Sequence, residues 1–176
     1  MTAAKAANDV GCVSVTGDAT REDVLTQAMV ATAARVVVAT DRDDTSVLAV
    51  LTARRLTPHA TIVAAARESQ NITVLKQSGA DVVIPTAEAA GRMLALSLTS
   101  PVAGSVLEDL LESERGLEIV ERRVTLEEVG KAPESLHIEH TLVLAIVRDG
   151  VTHRFDHGTV SELRAGDRLV VIEPVR

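Results

Sequence analysis

The chain has 176 residues and a net charge of −7, is 46% hydrophobic and 24% charged, and holds one Phe with no Trp or Tyr. That length allows one ordinary domain plus a small second one, and that composition excludes bulk disorder. The acidic balance and the missing aromatic platform argue against a nucleic-acid partner, because such affinity comes from neutralising phosphates and stacking bases.

Residues 1–9 carry one basic side chain and no long apolar run, which is not a secretory signal. Uncharged apolar runs such as 28–34 and 141–147 fall well short of the roughly 18 to 20 residues a membrane helix needs. The cytoplasm is therefore the expected compartment. The single cysteine, Cys12, has Val10 and Val13 as neighbours and is expected to be a small buried hydrophobe.

Four β-rich runs, 12–16, 35–40, 61–65 and 81–84, recur at intervals of about 20 to 26 residues with helical periodicity between them, the rhythm of a parallel α/β sheet. After the first run, Thr20 and Asp23 form the pattern of a capping box, with Val24, Leu25, Ala28 and Met29 on one helix face. A second helix opens at Asp43-Asp44, is expected to bury Val47, Leu48 and Leu51, and must stop before Pro58. A third runs from about Ser69, with Ile72 and Leu75 inward, to Ser78-Gly79, where glycine suits a left-handed cap.

Beyond Ile84 the pattern changes. Pro85-Thr86 opens a longer helix through Met93, Leu94 and Leu98, which Pro101 interrupts; Ser105 and Glu108 then read as the capping box of another helix, closed by Gly116. This helix-break-helix segment is expected to cross between two units and to offer its apolar faces to a second protomer. From Leu117 the chain is strand-rich, with runs at 117–124, 141–147, 151–156 and 168–172. The expected division is 1–100, a crossover at 101–116, and a small β-rich α+β unit at 117–176.

Asp149-Gly150 between two apolar runs predicts a two-residue hairpin turn, since a type I′ turn needs positive φ at both central residues. That turn sets His153 opposite Ile146, Phe155 opposite Leu144 and His157 opposite Leu142, with His140 on the same face. Three histidines at strand spacing without a fourth ligand read as the edge of a core or interface rather than as a zinc site. Gly166-Asp167 supplies another tight turn. Asp18 and Asp41, at strand ends, read as turn and cap residues rather than as a phosphoacceptor, because no acidic pair or strand-end lysine accompanies them.

Several segments, taken in order, resemble the regulator of potassium conductance (RCK) or TrkA-type family: Gly17-Asp18-Ala19-Thr20, Val36-Val37-Val38-Ala39-Thr40-Asp41, Ile62-Val63-Ala64-Ala65-Ala66-Arg67 and Gly79-Ala80-Asp81-Val82-Val83-Ile84. In the C-terminal half the likeness rests on Val129-Gly130-Lys131, on Asp149-Gly150, and on the stretch from Leu163 through Gly166-Asp167 to Ile172. The resemblance covers essentially the whole chain. It implies an N-terminally truncated Rossmann-like parallel sheet, a helical crossover and a small C-terminal β-rich subdomain.

The resemblance also implies a job. Such domains are cytosolic regulators that assemble as dimers or rings on a membrane potassium channel or transporter and catalyse nothing. It places Gly17, Asp18 and Ala19 beside the adenine or ribose of a bound nucleotide, Thr40 and Asp41 at the next strand end, and Arg67 near the phosphates, with NAD(H) or ATP/ADP as cofactors once the family's N-terminal glycine-rich loop is supplied. Ligands of open α/β sheets gather at strand C-terminal ends, which agrees with that placement. Calcium-gated members carry acidic residues where this chain has Ala39, Ala65 and Arg67, so no calcium site of that kind is expected; separately, the acidic residue the family has at the start of the helix after the fourth strand is replaced by Ala87, with Glu88 adjoining it.

The family's glycine-rich phosphate loop and ribose-binding acidic residue precede its third strand, whereas only twelve residues precede Val13 here. The expectation is a truncated reading frame or fragment, with an unpaired apolar edge on the 35–40 strand, and with measurable nucleotide binding that this chain lacks and that restoring the loop creates. The alternative reading is a fragment of a nicotinamide-dependent oxidoreductase.

Overall fold

The computed structural model describes residues 3–112, 116–139, 141–155 and 160–175. It divides into two compact units, Met1–Ala95 and Leu96–Arg176.

The first unit is built on strands β1 (Arg35–Val38), β2 (Thr61–Ala66) and β3 (Val82–Pro85), all parallel in the order β1-β2-β3. Parallel neighbours need a crossover. Here α3 (Asp43–Leu56) joins β1 to β2, and a 3-10 turn (Ser69–Asn71) with α4 (Ile72–Gln77) joins β2 to β3. Ahead of them lie α1 (Ala3–Asp9) and α2 (Glu22–Gln27). Asp43 and Asp44 start α3 and Arg54 and Arg55 end it, charges that complement the helix dipole at both ends.

The core is one-sided. Alternation along β2 buries Ile62, Ala64 and Ala66 against Ala49, Val50 and Ala53 of α3 and Leu75 of α4. Burying a side chain such as Ile62 or Leu75, both fully covered, contributes roughly 1.5 to 3 kcal/mol. The helix-facing residue set differs from the expected one: α3 buries Ser46, Ala49, Val50 and Ala53, while Leu48 and Leu51 are 52% and 48% exposed. Periodicity locates a stripe on a helix, but here the alanines pack against an alanine-rich strand and the larger leucines are turned away.

Residues 12–16 form no strand, against the expectation. A strand needs a ladder partner for its N–H and C=O groups, and the sheet starts at β1, so this segment has no place in it. Val13 is 96% exposed, and Cys12, expected inside, is exposed for the same reason. Among the described residues no strand pairs with the outer edge of β1, as the resemblance implied, and Val37 is 73% exposed. The Thr20–Asp23 capping box does not form: Asp23 bonds Arg21, and Thr20 donates its N–H and O–H to Asp18 at 2.9 and 2.7 Å. Met29, expected on the buried face, is exposed in a left-handed conformation (φ 59°) beyond the end of α2.

Helix α5 (Thr86–Thr99) follows β3, and α6 (Pro101–Leu111) has Pro101 in its first turn, where a missing N–H costs nothing. The Ser105–Glu108 pair therefore lies inside α6 rather than capping it, and α6 ends at Leu111, short of Gly116. Gly104 is buried where a Cβ would stand 2.9 Å from Ser97 Cα, so only glycine permits this approach of α6 to α5.

The second unit's sheet is antiparallel, in the order β4-β7-β5-β6, from β4 (Leu117–Arg123), β5 (Leu142–Arg148), β6 (Val151–Arg154) and β7 (Arg168–Pro174). Leu136, Val143, Ile146, Val160, Leu163, Leu169 and Val171 form its core. The hairpin turn is as expected, with φ 53° at Asp149 and 77° at Gly150, and Ile146 pairs with His153. Phe155 lies beyond the end of β6 and is exposed, so the expected Leu144 pairing does not form. His140 and His157 lie outside the described residues. Among the described residues no group of His, Cys, Asp or Glu could hold a metal, and no helix is long and apolar enough to cross a membrane.

Among the described residues, part-buried ion pairs centred on Arg148 and on Arg122 lock this unit. Arg148 grips buried Asp167 through Nε (2.8 Å) and Nη2 (2.6 Å), while Arg122 grips Glu128 at 2.9 and 2.7 Å and reaches Glu173 at 3.3 Å. The Arg148 fork holds the Asp167 carboxyl below the usual carboxylate range. Hydrogen bonds from Arg122 do the same for Glu128 against the opposing effect of burial.

Candidate functional site

Because β1, β2 and β3 run parallel, their C-terminal ends open on the same side, and the residues that follow them converge. Ala39 and Thr40 after β1, Ala65 and Arg67 with Glu68 at the end of β2, and Thr86 and Ala87 after β3 line an open cleft of about 500 Å³. Alanine supplies one lining residue from each strand end. A small apolar lining with a few polar groups at its rim is the usual composition of a small-molecule site.

The polar groups differ in what they have left to offer. Thr40 Oγ1 donates to Arg42 C=O at 2.7 Å and lies 2.8 Å from the hydroxyl of buried Ser46, and Thr86 Oγ1 donates to Ala66 C=O at 3.3 Å. Both hydroxyls are thus engaged within the protein. Arg67 Nη1 donates to Asp41 C=O at 3.2 Å, and among the described residues the rest of its guanidinium has no partner. Arg67 is the cleft's available cation.

The loop carrying Arg67 is itself held. Asp43 Oδ1 accepts the Arg67 N–H at 2.8 Å, and its Oδ2 accepts the Glu68 N–H at 3.1 Å and Asn71 Nδ2 at 2.7 Å. Burial pushes the Asp43 carboxyl up, but the bonds from Arg67, Asn71 and Glu68 together outweigh it and hold the group below its ordinary value.

Of the residues singled out in the sequence, Thr40 and Arg67 line the cleft; Asp41 does not line it, and its carbonyl accepts the bond from Arg67 Nη1. Gly17, Asp18 and Ala19 do not line it. Asp18 closes a turn on Thr20, whose carbonyl accepts a bond from Thr52 of α3 at 3.1 Å, and Ala19 packs on the core. The Thr20 N–H and O–H lower the Asp18 carboxyl's pKa. Gly17 is a close approach, since a Cβ there would stand 2.8 Å from the Val24 methyls.

Compared with known families, residues 1–86 match the TrkA-N domain. Those residues belong to the TrkA-N family. An uncharacterised protein of Methanothermus fervidus is 32% identical to this chain over 95 residues, which is 54% of the chain and 15% of that protein. Among solved structures, the GsuK channel bound to NAD is 26% identical, with 93% of this chain and 29% of that one covered and a TM-score of 0.48. The human SLO3 gating ring, 17% identical, is matched over 98% of this chain and 38% of that one with a TM-score of 0.68, which shows the α/β fold followed by a separate antiparallel sheet to be shared with gating-ring domains. The chain thus spans less than two fifths of the length of each of these proteins.

Within the TrkA-N half, sequence reasoning missed Asp43, Glu68, Asn71 and Thr86 as parts of the site or its frame. Asp43-Asp44 reads locally as a helix start, and that reading is correct. Its second role, across to a loop 24 residues ahead, has no local signal. The rule that ligands gather at strand ends could have brought Thr86 in, because it directly follows β3.

Proposed function

We propose that this chain is a ligand-sensing regulatory domain that acts from the cytoplasm, as a homo-oligomer, on a membrane potassium channel or transporter. The observation that carries this reading is the strand-end cleft of a TrkA-N domain, with Arg67 as its available cation. The ligand class is an anionic nucleotide such as ADP, ATP or NAD(H), its acidic group at Arg67 and its ring on the alanine lining. The domain needs no covalent chemistry for this. A ligand that favours one arrangement of the assembly over another shifts the population by its difference in affinity.

Self-association is supported by the apolar residues left uncovered on α3 and α4, where Leu48, Leu51 and Val74 are all about half exposed. Leu98 of α5 and Val102 of α6 are more exposed still. Where such residues join into a contiguous patch, they mark an interaction surface.

Calorimetry of the chain with ADP and with NADH, beside Arg67→Ala, tests the ligand. Saturable binding that Arg67→Ala weakens is the expected result; no binding at millimolar nucleotide would overturn it, and turnover of NADH would instead favour a nicotinamide-dependent oxidoreductase. Light scattering tests the assembly, and a monodisperse monomer at micromolar concentration would refute it.

A further inference from the structure

Asp43 does not line the cleft, yet its carboxylate takes the backbone N–H groups of two consecutive residues of the cleft wall, Arg67 and Glu68, and the side-chain amide of Asn71. We infer that Asp43 is the positioning residue of this site, setting Arg67 to meet a ligand that presents a single acidic group at that end of the cleft. The inference rests on the ligand-sensing reading above.

The frame explains why Asp43 can do this. It stands in the first turn of α3, a helix anchored in the core by Ser46, Ala49, Val50 and Ala53. The loop it holds has only the short 3-10 turn Ser69–Asn71 as internal structure. Bonds to an ionised carboxylate are the stronger kind, so the rigid partner dictates the backbone at Arg67. From there the guanidinium reaches back to Asp41 C=O, so the β1–α3 turn and the β2–α4 loop are joined twice, once through Asp43 and once through Arg67.

The same geometry limits the ligand. Successive backbone N–H groups at a strand-to-helix turn make an anion-binding concavity. Here that concavity is already filled by Asp43. An incoming phosphate or carboxylate is left with the guanidinium, which grips one planar or tetrahedral acid group through its fork. A pyrophosphate cradled by these amides is not accommodated while Asp43 is in place.

The test is calorimetry with ADP and NADH on the wild-type chain, Asp43→Asn, Asp43→Glu, Arg67→Ala and the Asp43→Asn/Arg67→Ala double variant, with melting followed by circular dichroism. Asp43→Asn should weaken ADP binding by about tenfold and add little in the Arg67→Ala background, because both changes remove one shared contact. Asp43→Glu should recover part of the loss, and the melting point of Asp43→Asn should fall by only a few degrees. Should Asp43→Asn fold poorly, Asn71→Ala, which removes a donor from the other side, should still weaken ADP by about threefold. Wild-type affinity in Asp43→Asn or Asn71→Ala beside a weakened Arg67→Ala, or fully additive losses in the double variant, would overturn the assignment and leave the ligand reading standing. Absence of binding by the wild-type chain would instead overturn the ligand reading and the assignment with it.

Discussion

Asp167→Asn is the sharpest probe of what holds the C-terminal unit together. The Asp167 side chain is 3% exposed and accepts Arg148 Nε at 2.8 Å, Arg148 Nη2 at 2.6 Å and the Arg164 N–H at 2.8 Å. Asparagine preserves the volume but has one acceptor oxygen, and its NH₂ turns a donor toward the donors of Arg148. Removing one member of a buried pair costs about 3 to 5 kcal/mol. Arg148 keeps its bond to Glu162 C=O (2.9 Å) and is 18% exposed, so part of its charge stays served. The low end, about 3 kcal/mol, is therefore expected. For a unit of about 80 residues that lowers the melting temperature by on the order of 15 °C.

The pH dependence gives a second readout of the same contact. Asp167 titrates lower in the folded state than unfolded, so the folded chain binds fewer protons and the contribution is complete above the unfolded value of about 3.9. It is lost as pH falls below that toward the folded value. Wild-type stability should drop on acidification through this range, and the variant should show a shallower acid limb. Circular dichroism is the signal, since the chain has no Trp or Tyr to report by fluorescence, and hydrogen exchange assigns the loss to 116–175. A melting point within about 3 °C of wild type at pH 7, or an unchanged acid limb, would refute the argument.

Three further substitutions probe separate contacts. Arg54 donates to Gly79 C=O, Pro58 C=O, Ala60 C=O and Asp81, and Arg54→Met should cost about 2 to 3 kcal/mol, read as lower urea resistance of the first unit; an effect on the second unit's exchange instead would contradict it. Gly104→Val places a branched side chain where even a Cβ stands 2.9 Å from Ser97 Cα, and should cost about 1 to 3 kcal/mol with loss of helical signal; an unshifted melt would mean that α6 can retreat freely. Gly166 has φ 95° with open space around a Cβ, so Gly166→Val should cost on the order of 1 to 3 kcal/mol through backbone strain alone, without disturbing core exchange in the first unit.

The sequence by itself determined the elements whose signals are local. The strands expected at 35–40, 61–65 and 81–84, which form as Arg35–Val38, Thr61–Ala66 and Val82–Pro85, the helices between them, the left-handed cap at Gly79 and the register of the Asp149-Gly150 hairpin over 145–154 all follow from periodicity and turn chemistry over a few residues. The resemblance carried by Gly17-Asp18-Ala19-Thr20 and the later strand segments likewise led to the TrkA-N family without any coordinates.

Tertiary structure decided the rest, wherever a residue's role depends on a partner distant in sequence. Residues 12–16 have the composition of a strand but no ladder to join, which no local pattern can register. Leu48 and Leu51 turn outward because the strand facing α3 is lined with alanine and seats Ala49 and Ala53 instead. The site follows the same logic. Thr40 and Arg67 are indicated by the family resemblance, whereas Asp43, whose carboxylate spans from the start of α3 to the loop after β2, acquires its second role only when the parallel order of β1 and β2 brings those two turns side by side.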